Sequence, residues 1–143
     1  MQFSDWCETD EGRRRIPEPL VTLIGNAMRT LGVPLDAPAH VIWGDQPGQR
    51  FMVMLACDAG LAILGVRPST PQEGPRVSGR LLRWSRVQVG ELAIEAHHGH
   101  VQASAQMEGQ VLQGLDAAGA QVAGWMAEVY RRVEGASRAE RSS

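Results

Sequence analysis

Apolar residues alternate with polar ones along Leu92, Ile94 and Ala96, and again along Val101, Ala103, Ala105 and Met107. That is the period of two a half-buried strand requires. Between the runs stands His98-Gly99, where glycine can take the positive φ of a tight turn, so the block reads as a β-hairpin. The stretch before it, about Ser78 to Val87, reads as a short amphipathic helix leading into the hairpin. Earlier, from Ile16, the apolar positions Leu20, Leu23, Ile24, Ala27, Met28 and Leu31 fall on one stripe of a helix, with Pro17 and Pro19 in its first turn and Gly32 and Pro34 as its stop. Burying such a stripe contributes about 1.5–3 kcal/mol per large side chain, so this helix needs a surface to pack on.

The strands that follow supply one. Ala39 to Trp43 reads as a short strand, closed by the turn-rich Gly44 to Gly48. Phe51 to Cys57 and Leu61 to Val66 meet across Asp58-Ala59-Gly60, a three-residue loop in an antiparallel meander. Residues 68 to 79, rich in proline and glycine, predict a mobile crossing loop, and 108 to 114 a polar connection. Asp116 is placed to cap a last helix carrying Val122, Trp125, Met126, Val129, Tyr130 and Val133, with Leu115 as its staple. Gly119 and Gly124 inside that helix point to a closely approaching backbone. The expected fold is α+β in the order α-β-β-β-α-β-β-α, a five-stranded antiparallel sheet flanked by helices. Residues 1–15 read as an N-terminal arm anchored by Phe3 and Trp6, 16–134 as a single domain, and 135–143 as a disordered tail.

This order of elements resembles the YbjN family and, in architecture, the class I type III secretion chaperones of the CesT kind. The residues that carry the resemblance are Thr30-Leu31-Gly32-Val33-Pro34 at the end of the first helix, the block Leu81 to Met107 with its Val-Gly-Glu-Leu-Ala-Ile, and the closing Leu115 to Val133 helix. Ser85 stands where many YbjN relatives have asparagine. The resemblance implies a non-enzymatic bacterial homodimer, chaperone-like or an adaptor, that holds a flexible segment of a partner protein. It supplies no catalytic residue.

Composition changes this picture little. The 143 residues carry a net charge of −2, with 43% hydrophobic and 21% charged residues, so no bulk attraction to phosphate or anionic lipid is expected. All fourteen basic residues are arginine. Cys7 and Cys57 form no metal or disulfide spacing, which agrees with a reducing compartment, and the opening residues lack the apolar run of a secretory signal. The protein reads as cytoplasmic.

His97, His98 and His100 around the central turn can meet a transition metal or simply be solvated, and without a nearby cysteine or carboxylate spacing the solvated turn is preferred, so no metal and no cofactor are expected. Arg80, Leu81, Leu82, Arg83, Trp84 and Val87 on the expected central helix are read as a dimer or partner interface, because arginine and tryptophan are enriched at protein contacts. With Arg76 and Arg86, the same helix supports the alternative of a nucleic-acid-associated accessory protein. No Gly-x-Ser-x-Gly, phosphate-binding glycine loop or His-Glu-x-x-His occurs, and a carboxylate beside Cys57 is the wrong neighbour for a thiolate. Phe51, Val53 and Leu55 are read as a sheet face that binds the partner, because Met52 and Met54 make the same strand apolar on its other side.

Overall fold

The computed structural model describes residues 2–34, 36, 37, 39–44 and 49–142. Over these the chain is α+β, with two antiparallel sheets, helices at both ends and two compact units, Met1–Leu82 and Arg83–Ser143.

The first unit holds α1 (Phe3–Cys7), α2 (Asp10–Arg15), α3 (Glu18–Leu31) and strands β1 (Ala39–Trp43), β2 (Phe51–Cys57), β3 (Gly60–Arg67) and β4 (Arg76–Leu82) in the order β1-β2-β3-β4. α3 starts and stops where its prolines and Gly32 direct, the latter in the left-handed region at φ 80°. It buries Leu20, Ile24 and Met28 against Val53, Leu55, Ala62, Leu64 and Val66. The expected arm is part of this core. Phe3 is buried, Trp6 packs on the core, both rings gather around His40 of β1, and Thr9 caps α2 by accepting from the Gly12 amide at 3.0 Å.

The second unit holds a 3₁₀ turn (Trp84–Arg86), strands β5 (Val89–His97), β6 (His100–Met107) and β7 (Gln110–Leu115) in sequential order, and α4 (Ala117–Ser142). The β5–β6 hairpin is the expected one, with His98 and Gly99 at φ 50° and 80°. α4 lies on β6 and β7, burying Val122, Trp125, Met126 and Val129 with Ala103, Ala105, Met107 and Leu112. Gly119 is required there: a Cβ would stand 2.8 Å from the Gly114 carbonyl oxygen. Gly124 has open space instead, so only the first glycine marks a close backbone.

Several expectations are corrected. The central helix is absent: residues 76–82 form β4, because Val77, Gly79 and Leu81 pair with Val66, Leu64 and Ala62 of a strand already in place, and Ser78 and Gly79 are poor helix formers. The Pro/Gly-rich loop therefore ends at residue 75. It is tied by Arg67 to Glu73 at 2.8 Å and by the Glu73 amide donating to Thr70 Oγ1 at 3.0 Å. Residues 110–115 are a seventh strand, not a connection, entered through Glu108-Gly109 with the same paired positive φ as His98-Gly99. The two sheets replace the single five-stranded one. The loop between β2 and β3 is Asp58-Ala59, since Cys57 already pairs with Gly60. The turn-rich Asp45 to Gly48 lies outside the described residues. Residues 135–142 continue α4 rather than forming a tail.

Candidate functional site

The sheet of the first unit ends on β4, whose only strand neighbour among the described residues is β3. An edge strand of this kind turns alternate N–H and C=O groups away from its sheet, ready to accept another extended chain. Beside that edge runs α3. Between them lies a groove of about 480 Å³ lined by Leu23, Ala27, Thr30 and Leu31 of α3 and by Val77 and Gly79 of β4. The local sequence explains the opening. Gly79 has no side chain where a Cβ would meet Leu64 Cδ2 at 2.5 Å and Leu31 Cδ1 at 3.2 Å, so helix and edge come close at this point. Asn26 and Arg76 stand on the rim of the apolar floor.

Of the residues singled out from the sequence, Arg76 lines this groove, Arg80, Leu81 and Leu82 share its strand, and the others lie elsewhere. Val53 and Leu55 lie inside the core under the helices, with Phe51 packed against it, so this face is covered within the chain by its own helices. The alternating residues Met54, Ala56, Leu61 and Ile63 are buried too. Arg80, Leu81 and Leu82 belong to β4, and Arg83, Trp84 and Val87 to the next unit, so the six share no helical face. Leu81 is packed on the core of the first unit. Trp84 is only 7% exposed, with the Arg132 guanidinium 5.7 Å over its ring. Arg132 is steered by Glu128, whose carboxylate is held below the usual range by hydrogen bonds from Arg131 and Arg132.

The histidines around the β5–β6 turn divide their roles. His97 and His98 pack edge to face with ring centroids 4.1 Å apart, while His100 Nδ1 meets Asp116 Oδ2 at 2.8 Å. The other oxygen of Asp116 accepts from the Val101 amide at 3.1 Å, which with the His100 contact holds this carboxyl below its ordinary value. Asp116 precedes α4 as expected, and its carboxylate fastens the start of β6. Among the described residues no group of three or more His, Cys, Asp or Glu is placed to hold a metal ion.

Burial pushes the Cys7 thiol up to about 11, so it stays protonated at neutral pH. The buried Cys57 donates to the Gly60 carbonyl at 3.4 Å. His40, desolvated among Phe3 and Trp6, falls to about 4. Among the described residues no helix is long and apolar enough to cross a membrane.

The comparisons with known proteins add no constraint: no family model matches the chain, and neither a curated protein nor a solved structure is significantly similar to it. The sequence signal for the groove was present but misassigned. Val77-x-Gly79-x-Leu81 has the strand period, and Leu23, Ala27 and Leu31 of the α3 stripe pack against the core while also lining the groove.

Proposed function

We propose that the protein is a non-enzymatic binding module, a homodimer of chaperone or adaptor type, that holds a flexible segment of a partner protein. The observation that carries this reading is the open β4 edge beside the apolar flank of α3. An extended peptide docking there continues the sheet through main-chain hydrogen bonds and sets alternate side chains on Leu23, Ala27 and Leu31. Arg76 at the rim favours an acidic residue near one end of that segment. The segment must be unstructured before it binds, because an edge accepts only a strand whose own groups are free.

Selection from a displayed library of 12-residue peptides against the purified full chain tests this reading. The expected winners alternate apolar and polar residues, lack proline at their centre, and lose at least tenfold in affinity when Ala27→Arg fills the groove. If no sequence class is enriched, or if the winners bind the Ala27→Arg chain equally well, the groove reading fails.

A further inference from the structure

The second unit carries an unpaired edge of a different kind. Among the described residues β5 borders only β6, and α4 lies on β6 and β7, touching β5 at its start, where the Tyr130 hydroxyl donates to the Gly90 carbonyl at 3.2 Å. On the face that α4 uses, Leu92, Ile94 and Val101 are therefore left 37%, 60% and 48% exposed. The backbone of β5 is equally open. Val101, the partner of Ala96, uses its N–H and C=O on Asp116, at 3.1 and 2.7 Å, so Ala96 and Val101 exchange no bonds with each other. Because bonding alternates along an antiparallel pair, the N–H and C=O groups of Leu92, Ile94 and Ala96 all point away from β6, toward the free edge.

We infer that β5 pairs antiparallel with β5 of a second copy of this chain, about a two-fold axis at Ile94, joining two three-stranded sheets into one of six strands. This gives the homodimer of the preceding section its surface, but it rests on β5 alone and not on the groove. The side chains select the register. With the axis at Ile94, the outward-pointing backbone groups meet one another, Ile94 against Ile94 and Leu92 against Ala96, and Glu91 stands opposite His97 of the other copy. With the axis at Ala93, Glu91 would face Glu95 twice, and with the axis at Glu95 that carboxylate would face itself; like charges directly opposite are destabilising. An axis at Leu92 would need the segment between Val89 and Leu92, where the β5–β6 register is irregular and the Gly90 carbonyl already accepts from Tyr130 Oη at 3.2 Å. The chosen register also brings the two exposed Leu92–Ile94 stripes side by side, so each covers the other's apolar surface.

The axis position makes a specific test possible, since residue 94 meets only its own copy. Ile94 is 60% exposed, so a charge there leaves the fold of one chain intact. In sedimentation of the full chain at 50 μM, the expected mass is twice the 15.5 kDa of one chain, falling to 15.5 kDa for both Ile94→Lys and Ile94→Glu. Mixing the two variants is expected to restore the double mass, because lysine then faces glutamate across the axis. A monomeric wild type, or variants that remain dimeric, overturns the β5 interface. Two monomeric variants that stay monomeric when mixed overturn the register. None of these outcomes depends on the α3–β4 groove, whose peptide selection is read separately.

Discussion

In the first unit α3 lies over β3 and the edge strand β4 of a four-stranded sheet, and the core residues of β2 and β3 are withdrawn from water. In the second, α4 covers two strands of three and the apolar side chains of the third remain at the surface. Both sheets end in an unpaired strand, yet the edges differ. Beside β4 the helix leaves a groove with an apolar floor, which suits a foreign strand. β5 has no wall, only a self-complementary row of side chains and outward backbone groups, which suits its own copy. What an edge can recruit thus depends on what stands next to it more than on the edge itself.

The contrast in burial is sharpest in matched substitutions. Leu64→Ala in β3 is expected to cost about 2–5 kcal/mol, since it empties a fully buried site, whereas Ile94→Ala in β5 should cost the single chain under about 0.5 kcal/mol. Urea unfolding at low protein concentration reads both. A comparable loss at position 94 would mean that β5 is already covered within one chain.

The two glycines of α4 divide in the same way. Gly119→Val drives a side chain into the Gly114 carbonyl and is expected to destabilise by about 1–3 kcal/mol, while Gly124→Ala meets no atom within 4 Å and should stabilise by about 0.5–1 kcal/mol. Thermal melts of the two variants check the opposite signs.

A smaller effect distinguishes the first unit by pH. His40 titrates near 6.5 when unfolded and near 4 in the folded chain, so between those values the unfolded state binds more protons. Stability is therefore full above about pH 6.5 and declines as the pH falls toward 4. Because the ring is partly exposed, the loss is expected to be about 1 kcal/mol after solvent screening. His40→Phe, which keeps an aromatic ring beside Phe3 and Trp6, should flatten that slope in urea midpoints measured from pH 7.5 to 4.5. An unchanged slope would place the proton uptake elsewhere.

Much of the fold is legible in local pattern. The α3 stripe with its prolines and Gly32, the β2–β3 meander and the β5–β6 hairpin follow from periodicity and turn chemistry, which act over a few residues and need no distant partner. The turn Glu108-Gly109 was equally readable, and the strand after it could have been found from that turn. The site was less so. Phe51, Val53 and Leu55 carry the apolar alternation of a binding face, but a strand's composition does not say which layer will cover it, and here the chain's own helices do.

By itself, then, the sequence determines that this chain is α+β, where α3, β2, β3 and the β5–β6 hairpin lie, and that its helices must pack on sheets. Only the tertiary structure decides that residues 76–82 are a strand, because β3 offers Val66, Leu64 and Ala62 as partners to a segment whose own preference is weak. It alone decides that Trp84 is buried rather than offered, and that β4 and β5 each end a sheet. Those outcomes depend on which neighbours a residue finds across long stretches of chain, and pairing over that distance is not encoded in any one window of residues.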